Sequence, residues 1–111
     1  MNVAAALHAQ ERTSVAPASG CDQPVRILVV DDSSVVRSVF ERIILRNNRL
    51  VFAGSCASVD EALQFLARQK VEIILLDIEM PGRNGLEGLP EIIARSQGAA
   101  VFIISSHIEE Q

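Results

Sequence analysis

From Val25 onward, short apolar runs alternate with amphipathic stretches. Arg26-Ile27-Leu28-Val29-Val30 is apolar at consecutive positions and ends in Asp31-Asp32. A half-solvated strand would alternate, so an unbroken run predicts a strand buried on both faces, as in a parallel sheet. Ser33 or Ser34 can cap the helix that follows. In that helix Val36, Phe40, Ile43 and Ile44 recur at helical spacing, with Arg37, Glu41 and Arg42 on the other side. Asn47-Asn48 predicts a left-handed stop. Leu50 to Gly54 is a second strand. Ser58-Val59-Asp60-Glu61 matches a capping box, ahead of an apolar stripe of Ala62, Leu63, Leu66 and Ala67. Glu72 to Asp77 is a third strand, again with an acid at its C-terminal end.

Met80-Pro81-Gly82-Arg83-Asn84-Gly85 is dense in turn residues. It leads to a third helix from about Leu86 to Arg95, with Pro90 expected in or near its first turns, where a missing N–H costs least. Ala99 to Ser105 is a fourth strand, ending in Ser105-Ser106, and Ile108-Glu109-Glu110 opens a further helix. Met1 to Pro24 is different: rich in Ala, Ser, Gln and Pro, without sustained periodicity. Ala favours a transient helix over Met1 to Gln10, and Pro17-Ala18-Ser19-Gly20 breaks it, so residues 1–24 are expected to form a flexible leader.

Strands alternating with helices make βαβ units, and right-handed crossovers turn these into a doubly wound parallel sheet of the α/β class. Composition agrees. The chain has 111 residues, 49% of them apolar, enough for one domain with a core. A formal charge of −4 argues against nucleic acid or an anionic membrane as the main partner. No apolar run approaches the ~20 residues that span a bilayer, and the N-terminus does not resemble a signal peptide. A cytoplasmic protein is expected. Cys21, Cys56, His8 and His107 stand too far apart to suggest a metal site.

Ligands in such sheets bind beyond the carboxyl ends of the strands, near a switch in strand order. Strands ending in Asp31-Asp32, Asp77 and Ser105 would converge there. One Asp alone could simply cap the element after it. Three carboxylates buried together repel, and without a cation at least one takes up a proton. Together they favour a cation site, and magnesium suits it, as a hard ion that takes a few carboxylates and keeps several waters.

Val29-Val30-Asp31-Asp32-Ser33 resembles the first-strand acidic pair of two-component receiver domains. Leu75-Leu76-Asp77-Ile78-Glu79-Met80-Pro81-Gly82 is similar to their phosphoacceptor segment, and Ser105-Ser106 stands where receivers have a hydroxyl followed by a small residue. The resemblance runs from about Arg26 to the C-terminus and implies a flavodoxin-like fold. It implies that Asp77 accepts a phosphoryl group from a phosphohistidine of a sensor histidine kinase. It gives Asp32, Asp77 and the main-chain carbonyl of Glu79 as direct magnesium ligands, with Asp31 acting mostly through a water. Ser105 would bond the phosphoryl group, and Ser106 would keep the site open. Asp32-Ser33-Ser34-Val35-Val36-Arg37 and Ser105-Ser106 followed by Glu109-Glu110 look like the receiver of chemotaxis protein-glutamate methylesterases. That implies a C-terminal output domain with esterase activity, absent from these residues.

The chain departs from the family in two places. Receivers usually have Asp-Gly where Asn84-Gly85 stands, a change the turn tolerates. They also have a fifth strand with a phosphoryl-contacting lysine. The one lysine here, Lys70, precedes the third strand, at the other end of the sheet. The expectation is a fragment with four of the five strands, lacking the fifth strand and fifth helix. That would open the edge of the fourth strand and thin the cover over some of Val36, Phe40 and Ile43. Other readings are a receiver-like interaction module without switching and the receiver of a DNA-binding regulator. Asp77-Ile78-Glu79 also weakly resembles the DxD motif of haloacid-dehalogenase-type phosphatases, where the motif follows the first strand and the second acid is Asp.

Overall fold

The computed structural model describes residues 23–80 and 84–105. The leader through Asp22, Pro81-Gly82-Arg83, Ser106, His107 and the helix expected at Ile108 lie outside them.

Seven elements follow in order: β1 (Val25–Val30), α1 (Ser34–Leu45), β2 (Leu50–Cys56), α2 (Val59–Arg68), β3 (Ile73–Asp77), α3 (Gly85–Ser96) and β4 (Ala100–Ile104). All strand pairs are parallel, and the sheet order is β2-β1-β3-β4. The order reverses at β1, whose neighbours are β2 on one side and β3 on the other. This is the flavodoxin-like arrangement, with its crevice above the carboxyl ends of β1 and β3.

Strand side chains alternate between faces, and the unbroken apolar runs therefore feed two cores. Ile27, Val29, Ile73, Leu75 and Ile104 pack with Val36, Phe40 and Ile44 of α1. Leu28, Val30, Ile74 and Leu76 pack with Val59, Ala62, Leu63 and Leu66 of α2 and Ile92 of α3. Burying each such side chain stabilises the fold by about 1.5–3 kcal/mol. Of the α1 residues expected to be thinly covered, Val36 and Phe40 are buried against the sheet and only Ile43 is half-buried. Among the described residues β4 pairs on one side alone, with Ile103 43% exposed.

The helix ends differ from the sequence reading in two places. α1 closes at Arg46 in the right-handed region, and Asn47 is not left-handed. Its side chain instead accepts from the Arg49 N–H at 2.8 Å, which turns the chain into β2. The left-handed stop belongs to α3, at Gln97 (φ 58°) and Gly98 (φ 100°). At α2, Ser58 accepts from the Glu61 N–H, but Glu61 reaches back to the Ala57 N–H rather than closing a box on Ser58. The reciprocal capping box is at α3, where Asn84 Oδ1 accepts from Glu87 and the Glu87 carboxylate accepts from the Asn84 N–H. Pro90 lies at the sixth residue of α3, in its second turn as expected, and leaves the Leu86 carbonyl without its i+4 donor. Leu86 is 56% exposed, so water can reach that end of the helix.

Candidate metal centre

Asp31 follows the last residue of β1, and Asp77 is the last residue of β3. Val30 is in register with Leu76, so the two chains deliver their acids to one end of the sheet at one level. One carboxylate oxygen each from Asp31, Asp32 and Asp77 lies within 4.8 Å of the others. Asp31 and Asp77 are fully buried, whereas Asp32 is exposed. Ser105 follows Ile104, the partner of Asp77 in the β3–β4 register, and stands half-buried at the same sheet end. The Glu79 N–H donates to Asp77 Oδ1 at 2.9 Å, folding the β3–α3 loop back over the acid.

Asp31 is held at almost every polar atom. Its N–H donates to the Cys56 carbonyl at 3.0 Å, continuing the β1–β2 pairing past the end of β1. Its carbonyl accepts from Arg37 Nη1 at 2.7 Å, and its Oδ1 accepts from the Ser33 N–H at 2.8 Å. Oδ2 alone is buried with no hydrogen-bond partner. Burial raises the Asp31 carboxyl from 3.8 to about 6. The Ser33 N–H opposes that rise, and the charges of Asp77 and Asp32 add to it.

A buried carboxylate oxygen without a donor costs stability. Beside two further carboxylates, that oxygen can be satisfied either by a proton shared with Asp77 or by a cation. Oxygen donors alone, at this charge, suit magnesium or another hard divalent ion. The three acids expected from the sequence are thus brought together, Glu79 is placed by its N–H beside Asp77, and Ser106 lies outside the described residues. Lys70 is exposed just after α2, ahead of the N-terminal end of β3 and remote from the acids. Burial first, then the Glu61 charge, pushes the Cys56 thiol up to about 11, so it stays protonated.

Two contributors were not visible as such in the sequence. Gly85 opens α3 hard against the Asp77 backbone, and Arg37 reaches back from α1 to the Asp31 carbonyl. The Asn84-x-x-Glu87 spacing was a usable signal for the helix start beside the site.

A family model for the response regulator receiver domain matches residues 27–111. The chain is 35% identical over 95 residues to the protein-glutamate methylesterase/protein-glutamine glutaminase of group 2 operon of Rhodospirillum centenum, covering 86% of this chain and 24% of that protein. It is 34% identical over 85 residues to the transcriptional regulatory protein MalR of Bacillus subtilis, covering 77% of this chain and 36% of that protein. The response regulator domain of Thermotoga maritima CheB superposes with a TM-score of 0.69 at 35% identity, over 79% of this chain and 65% of that one. The chain therefore spans about a quarter of the length of the methylesterase it matches.

Proposed function

The chain belongs to the response-regulator receiver family, and from that premise we propose that Asp77 is its phosphoacceptor. The donor is a phosphohistidine on a sensor histidine kinase. The observation that carries this reading is the pair of buried acids, Asp31 and Asp77, at adjacent strand ends, with Asp31 Oδ2 lacking any partner.

In the transfer, a carboxylate oxygen of Asp77 forms a bond to phosphorus as the phosphorus–nitrogen bond of the phosphohistidine breaks. The imidazole leaves with the electron pair and the product is an acyl phosphate. Bound magnesium would offset charge on the phosphoryl oxygens. Asp32, Asp77 and the Glu79 carbonyl would hold it directly, with Asp31 acting mostly through a water. The Glu79 N–H keeps the Asp77 carboxylate oriented during attack. Ser105 donates its hydroxyl to the phosphoryl group once that group is present, and Ser106, being small, leaves room for the donor. The movement of Ser105 reports phosphorylation to a distant surface.

The output reading is a C-terminal methylesterase domain acting in chemotaxis, supported by the relatives at 35% identity. The match to MalR favours a second reading, a transcriptional output on the same receiver. Both place the protein in the cytoplasm, where sensor kinases expose their phosphohistidine. Among the described residues no helix is long and apolar enough to cross a membrane.

The test is incubation with acetyl phosphate and magnesium, followed by hydroxylamine cleavage of the acyl phosphate. Label on the wild type and none on Asp77→Asn is expected. Equal label on both would overturn the assignment.

A further inference from the structure

Arg37 has no role in the transfer just described, yet it is bonded to the acidic loop. It is the fourth residue of α1 and half-buried. Its own N–H is used in the first turn, donating to the Ser33 carbonyl at 3.0 Å. Its guanidinium turns back past that turn, and Nη1 donates to the Asp31 main-chain carbonyl at 2.7 Å. That carbonyl belongs to the peptide that joins Asp31 to Asp32.

The Asp31–Asp32 peptide is bordered by one soft dihedral on each side, ψ of Asp31 and φ of Asp32, and a change in either moves one carboxylate relative to the other. The Cys56 carbonyl and the Ser33 N–H restrain the Asp31 side of the peptide. Among the described residues, the bond from Arg37 is the one that holds the peptide's own oxygen. A charged donor to a carbonyl is a strong hydrogen bond, and guanidinium is geometrically rigid.

We propose that Arg37 is a positioning residue of the metal centre: by clamping the Asp31 carbonyl it fixes the Asp31–Asp32 peptide and so aims both carboxylates at the ion. The inference rests on the receiver reading, because it takes the three acids to hold magnesium. Groups that orient metal ligands without touching the metal change affinity by about 10–100-fold when removed. Arg37 fits that description, with the difference that it acts on a main-chain atom rather than on a ligand side chain.

The experiment compares wild type with Arg37→Met, which keeps an apolar stem without the donor, and Arg37→Lys, which restores a charged donor. Magnesium is titrated directly by NMR or calorimetry. The Asp31 carbonyl 13C resonance is followed in metal-free protein. Arg37→Met is expected to bind magnesium about tenfold more weakly, with the 13C resonance moved upfield as its hydrogen bond is lost. Arg37→Lys is expected to recover part of both. At saturating magnesium, labelling of Asp77 by acetyl phosphate should return toward the wild-type rate in Arg37→Met. An Arg37→Met protein with wild-type magnesium affinity overturns the proposal. So does weakened binding that Arg37→Lys leaves wholly unrescued with the 13C resonance unmoved, since that marks a packing role. Wild type that binds no magnesium at all defeats the metal reading of the site, on which the proposal rests, an outcome distinct from either.

Discussion

Gly85 and Asp77 are in backbone contact: a Cβ on Gly85 would lie 2.2 Å from the Asp77 carbonyl oxygen. No real Cβ sits there, so α3 can start beside the end of β3 only with glycine at its first position. The Gly85 N–H then closes the loop onto the Ile78 carbonyl at 3.4 Å. Gly85→Ala is expected to lower stability by at least about 2 kcal/mol, because backbone rather than a flexible side chain must yield. It should also weaken magnesium binding, since the strand end that must shift carries Asp77. A thermal melt and a magnesium titration check the two effects. A wild-type melt for Gly85→Ala would mean that α3 starts elsewhere in solution.

The Asp31 carboxyl makes metal-free stability depend on pH. Its folded value is about 6, above the ordinary 3.8, so the folded chain holds this proton more tightly than the unfolded chain. The contribution is present below about pH 4 and is lost as pH rises through about 6. Asp31→Asn removes the buried charge. Without metal at neutral pH it should be more stable than wild type by on the order of 2 kcal/mol. Near pH 4 the two should melt alike. Denaturant unfolding across that range measures both, and a wild-type slope retained in Asp31→Asn would refute the assignment.

The metal-binding roles separate the two neighbouring acids. Asp32 is exposed and Asp31 buried, and the proposed site gives Asp32 a direct ligand role and Asp31 a role mostly through water. Asp32→Ala should therefore weaken magnesium binding more than Asp31→Ala does. Fluorescence or NMR titration of both variants decides it, and equal affinities in wild type and Asp32→Ala would remove Asp32 from the ligand set.

Pro90 predicts a change of the opposite sign. It sits on the exposed side of α3 and denies the Leu86 carbonyl its helical partner. Pro90→Ala should raise stability by about 1–3 kcal/mol while leaving Asp77 labelling unchanged. A lower melting temperature would show that the proline is holding the start of α3 in place.

Much of this protein was determined by the sequence alone. Unbroken apolar runs at Ile27 to Val30 and Ile73 to Leu76 can be satisfied only between two layers of helices, so the α/β class followed from periodicity. Because acids ended two of those runs, Asp31, Asp32 and Asp77 could be named together before any coordinates. What the sequence could not separate was Asp31 from Asp32. They are adjacent residues of one type, yet one is buried with a stranded oxygen and the other is exposed. The difference arises because the Asp31 N–H still pairs with Cys56 across the sheet, a contact 25 residues away along the chain. Gly85 against Asp77, Arg37 on the Asp31 carbonyl and the left-handed stop at Gln97 rather than Asn47 are closer in sequence, and were hidden because apolar spacing carries no record of them. Periodicity reports which face of an element seeks a core. Close approach between backbones, and the last bond a polar atom accepts, are settled only when the elements pack together.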